Sequence, residues 1–272
     1  MSQCEYTEDM LQKWGLGACT PTGGLNLERE SFENFEDDSD DPPETGQIRL
    51  AQRMAGGLLW LASRTRPDIS FAVSRAAALS TRRPTEALMI GKRVLRYLAG
   101  ARGFGLFYAA GSAGDTEETG KIVLQVYTDA SMEEAGAQSG VVTAMFGQVV
   151  DWRSTRQAVG PFSTAEAEVE AIAVGERMLG ATRATLESLG FPMSPEMLGD
   201  NTAANLVSSG QGSWRTRSLT TKVHAVRSRV QRGLLKITQV GTADQRADGL
   251  TKSGGPKAMS TFKSHLGLRS VV

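Results

Sequence analysis

Four acids stand where periodicity marks the ends of secondary-structure elements: Asp129, Glu168, Asp200 and Asp248. Asp129 closes the run Lys121 to Ser131, in which Ile122, Leu124 and Val126 alternate with Val123, Gln125 and Tyr127 at the period of a β-strand. Glu168 falls in the first turn or so of a long helical pattern, Asp200 ends the fourth strand, and Asp248 begins a C-terminal helix. If the first and fourth strands are neighbours, their ends bring two carboxylates together, and a helix across the sheet presents a third. Such a group would repel itself without cations. Its chemistry would be to hold hard divalent ions, because Mg²⁺ prefers carboxylate, water and phosphate oxygens. Two ions about 3.5 to 4 Å apart support phosphodiester hydrolysis. Each acid also has an ordinary reading: Asp129 as a turn residue, Glu168 as a solvated helix residue beside Glu166 and Glu170, and Asp200 and Asp248 as helix caps.

The elements that would position these acids begin with strands. After the first, Gly140 to Phe146 and Gln148 to Arg153 read as a hairpin turning at Gly147. Ala165 to Leu189 reads as one helix, with Ala167, Ala171, Val174, Met178 and Leu186 on one side. Met197 to Gly199 is a brief strand, helices follow at about 201 to 209 and 218 to 232, and Leu234 to Val240 is the last strand before one or two helices. The order βββαβαβα specifies a mixed sheet with helices against it, an α/β domain spanning 121–272.

Upstream, the pattern is helical. Tyr6 to Gly15 carries Met10, Leu11 and Trp14 as its apolar positions within a segment spanning 1–27. Residues 28–46 form an acidic stretch too charged to bury, read as a disordered linker. A unit over 47–110 then contains three helices. The first, Ile48 to Ala62, has Leu50, Met54, Leu58, Leu59 and Leu61 as its apolar residues and Gly56-Gly57 as a mark of close packing. The second starts at Pro67 and the third at Pro84.

The formal net charge of zero conceals an asymmetry. Residues 1–46 hold 12 acids against 2 bases, and residues 201–272 hold 12 bases against 2 acids. The basic third suits a polyanionic partner such as nucleic acid. Two cysteines without a Cys-x-x-Cys spacing and two histidines suggest neither a disulfide framework nor a zinc site. No apolar run approaches the roughly 20 residues of a membrane span, and no basic-then-apolar leader opens the chain, so an intracellular, non-secreted, non-membrane protein is expected.

Several motifs occur together and in order: Tyr127-Thr-Asp-Ala-Ser131, Trp152-Arg-Ser-Thr-Arg-Gln157, Ser163-Thr-Ala-Glu-Ala-Glu168, Gly199-Asp-Asn201 and Ala243-Asp-Gln-Arg-Ala-Asp-Gly-Leu-Thr-Lys252. This set resembles the ribonuclease H domain of copia-type retrotransposon Pol polyproteins. Tyr6 to Leu25 and Gly57 to Tyr97, including Thr65-Arg66-Pro67-Asp68-Ile69, resemble the segment that joins the same family's reverse transcriptase to that domain.

The resemblance implies a ribonuclease H-like mixed sheet preceded by a small all-helical unit. It also implies an endonuclease that cuts the RNA strand of an RNA/DNA hybrid with two Mg²⁺ ions, Mn²⁺ being an alternative. Asp129, Glu168 and Asp200 take the places of the family's central metal-binding acids and Asp248 that of the fourth. Glu168 is preferred to Glu166 because Ala171 follows it as the family helix pattern requires. The basic residues Arg215, Arg217, Lys222, Arg227 and Arg229 are expected to grip backbone phosphates. The rest of a reverse transcriptase is an expected partner. The chain contains no aromatic-x-Asp-Asp turn, so no DNA synthesis is expected of it.

Two other classes compete with the nuclease. A catalytically inactive, nucleic-acid-binding remnant of such a polyprotein would keep the fold and the basic face without turnover. A transposase or integrase would need a glutamate after the fourth strand, and residues 201–272 contain none.

Overall fold

The computed structural model describes residues 1–27, 42–109, 120–133, 136–158, 163–199 and 217–270. Its contacts divide into two compact units, one formed by 1–107 with 252–272 and the other by 108–251.

The first unit is built on α1 (Cys4–Lys13), α2 (Thr45–Arg64), α3 (Ser70–Leu79) and α4 (Pro84–Gly100). A single 3-10 turn, Pro67–Ile69, leads into α3, and both it and α4 begin on a proline, whose missing N–H costs nothing in a first turn. Met10 and Leu11 of α1 are buried as expected. On α2 the buried stripe is Ala51, Met54, Ala55, Leu58, Leu61 and Ala62, and this spacing of three and four leaves Leu50 and Leu59 exposed, contrary to the sequence expectation. Of the two glycines, Gly57 makes the close approach: an added Cβ would meet the Met10 side chain at 2.7 Å, whereas Gly56 faces open space.

The Thr65–Ile69 motif folds around a buried ion pair. Arg66 donates from Nε and Nη2 to the two carboxylate oxygens of Asp68 at 2.9 and 2.7 Å, and from Nη1 to the Ala101 carbonyl. The Tyr97 hydroxyl donates to Asp68 at 2.7 Å. Burial alone would raise the Asp68 carboxyl, but Arg66 and Tyr97 together hold it below the usual carboxylate range.

The chain's C-terminal segment also belongs to this unit. The sequence reading carries the α/β domain from 121 to the end, whereas the second unit stops at Thr251. The reason is burial. Helix α7 (Pro256–His265) buries Met259 and Phe262, and Lys263 lies 4.3 Å from the Phe104 ring. Strand β7 (Leu268–Ser270) pairs antiparallel with β1 (Phe104–Leu106), a two-stranded sheet too short to stand out in the sequence.

The second unit is a five-stranded mixed sheet. Its strands are β2 (Ile122–Glu133), β3 (Gly136–Met145), β4 (Gln148–Arg156), β5 (Met193–Gly199) and β6 (Lys236–Gln239), in the order β4-β3-β2-β5-β6. β2, β3 and β4 pair antiparallel, and β2–β5 and β5–β6 pair parallel. The first and fourth strands of the expected order are therefore neighbours. Phe146 and Gly147 both take positive φ, 54° and 71°, the pair of left-handed residues that a two-residue hairpin favours.

Helix α5 (Thr164–Ser188) packs on β2 and β3, and α6 (Arg217–Gln231) packs on α5. Leu124, Val126 and Val141 of the sheet meet Ile172, Met178 and Leu179 of α5 in one core cluster. Each such side chain, fully buried, stabilises the fold by roughly 1.5–3 kcal/mol. Gly175 lets α5 settle: a Cβ there would stand 2.5 Å from Thr128 Cγ2. On β5 and β6, Glu196 accepts from Thr238, Lys236 and Gln125, and these donors hold its carboxyl low against the opposing effect of burial. This five-stranded mixed sheet with helices against it is the α/β, ribonuclease H-like architecture expected from the sequence. The expected helix at 201–209 and most of the expected linker, residues 28–41, lie outside the described residues.

Candidate active site

The β2–β5 ladder ends at Tyr127↔Leu198, whereas the β2–β3 ladder continues to Glu133↔Gly136. Asp129 lies just beyond that divergence and is half-buried. Crevices at the carboxyl ends of parallel strands are where α/β sheets place ligands.

Polar backbone groups on either side of Asp129 find side-chain partners instead of a neighbouring strand. The Thr128 carbonyl accepts from Gln245 Nε2 at 3.1 Å, and the Ala130 N–H donates to Glu168 Oε1 at 3.3 Å. Glu168, buried on α5, is thereby fixed one residue from Asp129. Ser163 is the N-cap of α5, and its Oγ accepts from the backbone N–H of Glu166 at the third helical position at 3.2 Å. Gln157, the last residue of the second motif, donates to Ser139 Oγ and to the Ala167 carbonyl at 2.9 Å each, tying the start of α5 to β3.

Asp248 does not begin a helix as expected; it opens a 3-10 turn, Asp248–Leu250, after a similar turn at Thr242–Asp244. This stretch lies as a strap over one face of β2, β3 and β4, across the row Asp129, Gly140 and Ser154. Ser131 Oγ donates to the Thr251 carbonyl and Ser154 Oγ to the Leu250 carbonyl, both at 2.6 Å, and Arg246 donates to the Gly147 carbonyl at 2.7 Å. Thr251, completely buried, donates its hydroxyl to Asp129 Oδ2. Gly140 is paired with Asp129 across β2–β3, and a Cβ there would come within 2.8 Å of the Ala247 carbonyl oxygen and of Thr251 Cγ2. A side chain at 140 would occupy the place of the strap.

Glu168 is thus held on the backbone of the residue next to Asp129, and the turn bearing Asp248 is joined to Asp129 through Thr251. Asp200 lies outside the described residues. Among the described residues, Asp129, Glu168 and Asp248 included, no group of three or more His, Cys, Asp or Glu is placed to hold a metal ion. Carboxylate oxygens are the donors that Mg²⁺ and Mn²⁺ prefer, and in chemistry the donor set fits them.

The basic residues divide as well. Arg215 is outside the described residues, and Arg217 and Lys222 lie on α6 with no described side-chain placement. Arg227 is half-buried, and Arg229 pairs with Glu176 of α5. Sequence reasoning passed over Thr251, Ser131 and Gln157, although all three lie inside the quoted motifs, and it missed Gln245 and Gly140 as structural supports. No helix among the described residues is long and apolar enough to cross a membrane.

No protein-family model matches the chain. The retrovirus-related Pol polyprotein from transposon RE1 of Arabidopsis thaliana is 30% identical over 225 residues, which are 80% of this chain and 15% of that protein. This chain is related to copia-type retrotransposon Pol polyproteins. A second Pol polyprotein, from transposon TNT 1-94 of Nicotiana tabacum, is 25% identical over 284 residues, covering 99% of this chain and 20% of its own length. The Pol-related chain therefore spans about one-seventh to one-fifth of these relatives. Among solved structures, the LC11-RNase H1 isolated from compost is similar at 20% identity and a TM-score of 0.38, over 48% of this chain and 92% of its own. At that overlap the fold assignment rests on the strand order and connections described above.

Proposed function

We propose that this chain is an endonuclease that hydrolyses the RNA strand of RNA/DNA hybrids, working as a part or remnant of a retrotransposon polyprotein. One observation carries the reading. Glu168 Oε1 accepts from the Ala130 N–H, which holds a carboxylate of α5 on the residue that follows Asp129 in β2.

In this reading Asp129, Glu168, Asp200 and Asp248 hold two divalent cations, Mg²⁺ or Mn²⁺. Such ions, when bound, assist attack of water and departure of the leaving oxygen in an in-line displacement at phosphorus. The chain's own residues supply the placement. β2 and α5 fix two of the carboxylates, and the strap carries the acid of the third element. Water adds to phosphorus as the bond to the 3′ oxygen breaks, leaving a 5′-phosphate and a 3′-hydroxyl. Arg215, Arg217, Lys222 and Arg227 then contribute phosphate affinity without reading sequence.

A labelled RNA/DNA hybrid incubated with the purified chain and Mg²⁺ or Mn²⁺ tests this, beside Asp129→Asn and a DNA duplex. Cleavage confined to the RNA strand and lost in the variant is the expected result. Binding of the hybrid without cleavage at either metal would overturn it in favour of an inactive nucleic-acid-binding remnant, a reading that the 12 bases of residues 201–272 favour.

A further inference from the structure

We propose that Thr251 is a positioning residue of the acid site, orienting the Asp129 carboxylate for cation binding. The inference rests on the metal-dependent reading above and extends it to a neutral residue outside the acid set.

The argument begins with hydrogen-bond capacity. A threonine hydroxyl has one hydrogen to donate. Two acceptors stand within reach of Thr251 Oγ1: Asp129 Oδ2 and the Asp248 carbonyl, the latter at 2.8 Å. That carbonyl already receives the Thr251 backbone N–H at 3.1 Å. A carboxylate is also the stronger acceptor, so the hydroxyl hydrogen goes to Asp129. With Oδ2 engaged, rotation of the carboxylate about its Cβ–Cγ bond is restricted.

The donor is itself immobilised. Thr251 has no solvent exposure, its β-branched side chain is stiff at χ1, and its carbonyl is held by Ser131 Oγ. Ser154 holds the preceding carbonyl, and Gly140 leaves the space in which Thr251 Cγ2 sits. Ser131 and Asp129 share β2, so Thr251 is gripped at two points by the strand whose acid it orients. One residue thereby sets the register between the first acid and the turn carrying Asp248. Hydrogen-bond partners of metal ligands commonly govern affinity in this way.

The test is a Mn²⁺ titration of the full chain without nucleic acid, followed by electron paramagnetic resonance, with thermal melts of every variant. Thr251→Val, which keeps the shape and removes the donor, is expected to weaken Mn²⁺ binding by about tenfold or more. Thr251→Ser is expected to restore it, and Asp129→Asn to abolish it. Where Thr251→Val fails to fold, Thr251→Ala replaces it with the same two outcomes. Wild-type Mn²⁺ affinity in the folded hydroxyl-less variant, with binding lost in Asp129→Asn, would overturn the role of Thr251 and leave the acid site standing. Wild-type affinity in both Asp129→Asn and Glu168→Gln would instead remove the metal site, and this inference with it.

Discussion

Gly140 stands opposite Asp129 in the β2–β3 ladder, and paired residues of an antiparallel ladder project from the same face of the sheet. The volume a side chain would take at 140 is filled by Ala247, Leu250 and Thr251 of the strap. Gly140→Ala is therefore expected to destabilise the second unit by about 1–3 kcal/mol, because a backbone oxygen must yield. Urea denaturation measures that cost. Hybrid cleavage should fall further than the loss of folded protein explains, since the displaced strap carries both Asp248 and Thr251.

Glu166 and Glu168 are two residues apart and both buried, and Glu168 accepts from the Ala130 N–H. Glu168→Gln is expected to remove hybrid cleavage while leaving the melting temperature near that of wild type. Glu166→Gln leaves the backbone bond to Ser163 in place and should retain cleavage. Ser163→Ala, which removes the cap itself, should cost about 0.5–2 kcal/mol. Single-turnover cleavage and thermal melts on the same three variants separate the roles. Loss of cleavage in Glu166→Gln alone would reverse the assignment.

Arg229 is drawn to Glu176, so part of its charge is spent within the fold. Glu176→Gln releases it. Hybrid affinity measured by fluorescence anisotropy should rise in this variant, and the slope of log affinity against log salt should steepen by up to about one. An unchanged slope would place Arg229 away from the nucleic acid.

The first unit depends on the ionised state of Asp68. Its carboxyl titrates below the unfolded value, so the stability it contributes is present above the ordinary carboxylate range and is lost as pH falls through the folded-state pKa. Acid unfolding followed by tryptophan fluorescence should show this loss below about pH 4. Arg66→Met leaves the buried carboxylate unpaired and is expected to cost about 3–5 kcal/mol at neutral pH.

The sequence by itself determined the local parts. Alternation marked β2, Gly147 marked the turn between β3 and β4, and helical spacing from Ala165 to Leu189 marked α5. The placement of Asp129 and Glu168 on a strand and a helix was legible for the same reason. Periodicity and capping act over a few residues, so they are written in contiguous sequence.

Only the tertiary structure decided what met across distance. It tied Glu168 to the Ala130 N–H, 38 residues away. It put Thr251 on Asp129 across 122 residues, and it assigned Gly140 its role through contacts with a strap more than 100 residues downstream. It also placed 252–270 with the helical unit, through pairing of β7 with β1 and burial of Met259 and Phe262. A hydroxyl, a missing side chain or a three-residue strand carries no periodic signal. Its meaning comes from the partner that folding brings to it.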